Sequence, residues 1–198
     1  MPERISGFTT LPQAMIKNPE KDSVETVLSL MALSARTAPK GKGLDSLVLA
    51  GITGEDLGLL AEEMARLGDV LKLGFFIRDG KNVAASDGCL IIGIDGQTGI
   101  GINCGGCGFQ TCSDMHDHIS SAPRTGSPFI GPNCVIKMAD LGIAVGSAVK
   151  AASLHNLDNR VMFSAGVAAL SLGVVSPCSV AYGIPLKASG KNIFFDRS

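Results

Sequence analysis

Three cysteines crowd into one short run, Asn103-Cys104-Gly105-Gly106-Cys107-Gly108-Phe109-Gln110-Thr111-Cys112, and a fourth, Cys134, follows further along. Around them, from Gly96 to Pro132, the chain is glycine-rich and polar, with one short candidate helix near Asp114 to Ser120. A compact domain does not carry a loop of that length unless something other than a hydrophobic core organises it. A metal centre would. The spacing C-x2-C-x4-C with a distant fourth thiol therefore limits what the rest of the chain can build.

A cubane cluster needs four thiolates converging on one object from several directions. Three can come from a tight loop and the fourth from a later segment. The interleaved glycines let the backbone turn sharply between ligands, and successive N–H groups in such a turn can donate to anionic sulfur. Cys134 opens a long apolar stretch that reads as a helix, whose positive end favours a bound thiolate. The expected ligands are Cys104, Cys107, Cys112 and Cys134, and the expected cofactor is one [4Fe-4S] cluster. The rival is a structural zinc site in which Cys104, Cys107 and Cys112 join His116 or His118. Cys89, in an apolar strand, reads as a small buried hydrophobe; Cys178 reads either as a strand residue or as a free thiol near the centre.

Composition narrows the function classes. Hydrophobic residues make up 45 % and charged residues 18 %, which specifies an ordered protein. The formal net charge is −1, Trp is absent and Tyr is single, so neither an electrostatic nor a stacking surface for nucleic acid is expected. The stretch Val135 to Leu154 contains Lys137, Asp140 and Lys150, which suits a buried helix better than a membrane span. With no apolar core of signal-peptide length at the amino terminus, the six cysteines point to a reducing, cytoplasmic compartment.

The periodicity predicts a helix over 23–36, with Val24, Val27, Leu28, Met31 and Ala35 on one face. Strands are expected over Leu47–Ile52 and Cys89–Asp95, the latter central because it is apolar throughout. Thr53 is the expected N-cap of a helix from Glu55 to Leu67, residues 69–86 lean helical, and apolar helices are expected over roughly Cys134–His155 and Arg160–Leu172. Both should be buried on most faces. Val174–Ile184 is the last expected strand. The reading is a single α+β domain over 1–198, with 96–134 as an inserted iron–sulfur-binding segment.

The Cys-Gly-Gly-Cys-Gly-Phe-Gln-Thr-Cys run with its distant fourth Cys resembles the [4Fe-4S] domain of Rnf-type electron-transport subunits and corrinoid iron–sulfur proteins. Over most of its length the chain is similar to an uncharacterised family of ferredoxin-domain proteins. The residues that carry this are Arg36–Gly43, Asp140–Ser147, Asp158–Met162 and Gly183–Leu186, with the tail Gly190–Arg197. A fainter resemblance is to flavin-dependent nitroreductases, through Arg36-Thr37-Ala38-Pro39, Asp140-Leu141-Gly142 and Gly183-Ile184-Pro185. The chain departs from that pattern at Ala35 and at Lys40-Gly41-Lys42-Gly43.

That likeness implies a nitroreductase-like mixed sheet flanked by helices, a homodimer, and FMN as a second cofactor. Arg36, Thr37, Lys40 and Lys42 are the candidates to meet its phosphate, or phosphate in general; the same cations also read as a helix end complementing its own dipole. Arg160 and Arg197 read as helix-start and tail charges. Three functions remain open: an electron carrier serving a donor or acceptor protein, an FMN-dependent oxidoreductase fed by the cluster, and a structural zinc protein.

Overall fold

Gly88–Ile94 (β2) is apolar at every position and forms the centre of the molecule. In the computed structural model, which describes residues 18–121 and 127–195, all of its residues are buried. Side chains of a strand alternate between faces, so Leu90, Ile92 and Ile94 enter one core while Cys89 and Ile91 enter another. A strand covered on both faces has no use for a polar alternation, and this is why its sequence shows none.

Leu47–Ile52 (β1) pairs with one edge of β2 and Val180–Lys187 (β4) with the other; Asp158–Asn159 (β3) lies outside β4. All three pairings are antiparallel. The expected α+β fold is present, but the sheet, expected to be mixed, is antiparallel throughout the described strands. Two helices rather than one connect β1 to β2, Asp56–Leu71 (α2) and Gly74–Ala84 (α3), so the chain re-enters the sheet in the opposite direction.

One face of the sheet is covered by Pro19–Thr37 (α1) and Val135–Leu154 (α5), the other by α2 and Phe163–Ser171 (α6). The expected α1 face is the buried one. Helix α6 approaches β4 so closely that a Cβ on Gly166 would lie on the Ala181 carbonyl. Among the described residues no helix is long and apolar enough to cross a membrane.

Several boundaries differ from expectation. Thr53 does not cap α2: Gly54 turns the chain through a left-handed φ of 59°, and Glu55 is the capping residue, without a side-chain bond. Residues 69–86 contain the end of α2, a left-handed Lys72 and α3. Arg160 does not start a helix, because Met162 bridges Gly183 in the sheet before α6 begins; its guanidinium donates to the Phe194 carbonyl. Arg197 lies outside the described residues. The last strand starts at Val180, after a turn in which the Cys178 N–H bonds the Val175 carbonyl. Helix α5, expected to be buried on most faces, exposes Val135, Ala139, Gly142, Ile143 and Gly146, while Lys137 and Asp140 are buried.

Candidate metal centre

The cysteine segment leaves β2 at Asp95 and returns at Cys134, whose N–H donates to the Gly96 carbonyl at 2.7 Å. That bond places the N-cap of α5 beside the root of the segment. Ser179, at the start of β4, fixes the same corner: its hydroxyl accepts from the Gly96 N–H and lies 2.6 Å from Asn133 Oδ1.

Within the segment the backbone turns where glycine permits it. Gly101, Gly105 and Gly108 hold φ of 75°, 72° and 90°, and Asn103 holds 50°. Asn103 also accepts the Cys112 N–H on its side-chain oxygen at 2.9 Å, closing the loop on itself. The short helix Cys112–Ser121 (α4) is started by a reciprocal cap: the Thr111 N–H donates to Asp114 Oδ2 at 3.0 Å, and the Asp114 N–H donates to Thr111 Oγ1 at 3.1 Å. The T-x-x-D pattern could have been found in the sequence.

This folding brings Cys104, Cys107, Cys112 and Cys134 to the wall of one small cavity, floored by Ile100 and Met115. Cys134 is buried, Cys107 and Cys112 are half-buried and Cys104 is exposed, so the cavity lies at the surface. Cys112 opens α4 and Cys134 caps α5, which turns two helix N-termini towards the thiols. The Cys112 thiol is held below its ordinary pKa, first by the Asn103 backbone N–H, then by those of Gly101 and Ile102 and by the charge of Lys42. Gly99 packs closely on this cysteine: a Cβ there would meet Cys112 Cβ at 3.0 Å and Sγ at 3.1 Å, so Cys112 would have to give by a few tenths of an ångström.

Among the described residues no group of three or more Cys, His, Asp or Glu side chains is drawn together as a ready metal site. Four thiols on one cavity wall, with glycine turns between them, are donors of the kind a [4Fe-4S] cluster takes. His116 is exposed, and the His118 ring packs on Phe109 with centroids 5.2 Å apart and planes tilted by 43°.

The other two cysteines stand apart. Burial pushes the Cys89 thiol up to about 12 and the Cys178 thiol up to about 11. Cys178 packs behind Gly93 and lines a separate cavity with Gln97, Pro128 and Ser176.

The proposed phosphate residues make internal bonds. Arg36 donates to Asp45 and to the Leu47 carbonyl, Thr37 to the Leu33 carbonyl, and Lys40 to the Arg36 and Ala38 carbonyls. Lys42 reaches into the cysteine segment, 3.2 Å from the Ile100 carbonyl. Its turn is tied to α5 by the Gly41 N–H, which donates to Asp140 Oδ1 at 3.0 Å. Sequence reasoning missed Asp140 and Lys137 as structural groups of this site; the Lys137 ammonium, 4 % exposed, donates to the Asp95 carbonyl.

A family profile described as "uncharacterized protein containing a ferredoxin domain" matches residues 130–197. An uncharacterized protein of Archaeoglobus fulgidus is 42 % identical over 185 residues, 92 % of this chain and 96 % of that one. Among solved structures, a nitroreductase-type protein from Desulfovibrio desulfuricans in complex with FMN superposes with a TM-score of 0.53 at 14 % identity, covering 92 % of this chain and 93 % of that one. The NADPH:FMN oxidoreductase from Vibrio harveyi gives 0.50 at 16 % identity; the match covers 96 % of this chain but 66 % of that one. The fold is nitroreductase-like.

Proposed function

We propose that this chain, which belongs to the family of uncharacterized proteins containing a ferredoxin domain, is an iron–sulfur redox protein. It would hold one [4Fe-4S] cluster on Cys104, Cys107, Cys112 and Cys134. The observation that carries the reading is that four thiols from a loop, the first turn of α4 and the cap of α5 line one surface cavity. Such a cluster supplies one-electron chemistry. The residues of this chain would supply the thiolates and two helix N-termini, which favour negative charge there. The exposure of Cys104 suits exchange of electrons with a donor or acceptor protein.

The test is spectroscopic. Anaerobically prepared protein should be brown, with a broad visible shoulder that dithionite bleaches. Colourless protein with stoichiometric zinc would favour the structural zinc reading and end this one.

A second reading has one observation in its favour, the likeness of the fold to flavin enzymes. In it the cluster feeds a bound FMN and the protein is an oxidoreductase. FMN released on heating the purified protein would support it; failure of the protein to take up added FMN would leave the carrier. We further infer a cytoplasmic homodimer. The grouping of four cysteines as candidate metal ligands rather than disulfide partners supports the compartment. The apolar stripe on α5, with Ile143 44 % exposed, supports the dimer, together with Leu33 on α1 at 58 %.

A further inference from the structure

We propose that Lys42 is a positioning residue for the cluster, holding the backbone at Ile100 against the cysteine site with its charge beside it, and not a phosphate ligand. The inference rests on the iron–sulfur reading above. The Lys42 ammonium sits 3.2 Å from the Ile100 carbonyl. Ile100 lines the same cavity as the four cysteines, and the neighbouring Gly99 packs so closely on Cys112 that a Cβ there would lie 3.1 Å from its Sγ. The ammonium thus grips the stretch of backbone that forms the wall of the site.

The turn that carries Lys42 is anchored for this. Asp140, 4 % exposed, accepts the Gly41 N–H. A Cβ at Gly41 would meet Ile136 Cγ2 at 2.6 Å and Ile100 Cδ1 at 3.4 Å, so the turn lies directly on the wall of the cysteine site. Lys42 itself takes a left-handed φ of 55°. From the other end of the stretch Asp95–Ile100, buried Lys137 grips the Asp95 carbonyl. Two ammoniums thus hold the backbone that leads into the first ligand, and positive charge stands where reduction adds an electron. Lys137 is too deeply buried to remove without risk to the fold; Lys42 is exposed.

The experiment is an EPR-monitored redox titration of the holoprotein at low and high salt. Variants are Lys42→Gln and Lys42→Arg, with the distant, exposed Lys150→Gln as a control for net charge. At equal iron content, K42Q should lower the reduced fraction at fixed poise about tenfold, a shift of about 59 mV for one electron. K42R should recover most of it, K150Q should leave it unmoved, and the K42Q difference should shrink with salt. An unchanged potential in K42Q with full iron overturns the inference while leaving the iron–sulfur reading intact. So does micromolar FMN binding by wild type that K42Q abolishes without moving the potential. A wild type that takes up no iron ends both.

Discussion

Gly41→Ala tests whether the turn is seated on the cysteine site as tightly as the contacts require. Gly41 does not use a left-handed φ, so alanine can adopt its backbone. Taken alone, the change would stabilise the protein by about 0.4–1 kcal/mol, because the unfolded chain loses freedom. Opposing this, the new methyl would lie 2.6 Å from Ile136 Cγ2. Ile136 is β-branched and stiff in a helix, and it packs on Ile100, Met115 and Cys134. Overpacking of this kind costs about 1–3 kcal/mol. The balance ranges from about 0 to 2.6 kcal/mol of loss, and its midpoint of about 1.3 kcal/mol lowers the melting temperature of a chain of this size by about 3–5 °C. Thermal unfolding of the iron-free protein by circular dichroism, with iron retention of the holoprotein as the second readout, measures it. A variant as stable as wild type, with full iron, would refute the reasoning that the turn bears on the site.

Other substitutions probe the remaining parts. Gly166→Ala should destabilise by at least about 3 kcal/mol in urea, since the neighbour is the Ala181 backbone and cannot step aside. In the iron-free protein, Cys89 and Cys178 should resist iodoacetamide at pH 8: their raised values, about 12 and about 11, keep them as thiols until the pH approaches those values. The Cys112 thiol is shifted the other way, so its thiolate, and its labelling, should emerge below the pH usual for a free cysteine; peptide mapping after alkylation across pH separates the three. Ile143→Asp, on the exposed side of α5, should stay within about 0.5 kcal/mol of wild type as a fold but yield monomer by light scattering. A persistent dimer would remove that stripe from the interface.

The sequence disclosed those elements whose cause is local. β2 was legible because a strand buried on both faces must be apolar throughout, and α1 because Val24, Val27, Leu28 and Met31 repeat at helical spacing. The spacing and glycines singled out four cysteines, and these four line one cavity. β3 was not: Asp158 and Asn159 are polar and are made a strand only by β4, far along the chain. The orientation of α5 was hidden for a related reason. Charged residues ordinarily face solvent, but Lys137 and Asp140 are each held inside by a backbone group of a distant loop, the Asp95 carbonyl and the Gly41 N–H. Lys42 likewise looked like part of a basic helix end, because the Ile100 carbonyl that receives it lies 58 residues away.

The central claim is that Cys134 shares one inorganic core with the three cysteines of the loop. Iron and acid-labile sulfide should therefore be counted per chain in anaerobically reconstituted wild type and in Cys134→Ser. About four of each are expected in wild type, with most of both lost in the variant and none lost in Cys89→Ser. Equal iron in wild type and Cys134→Ser would contradict the account.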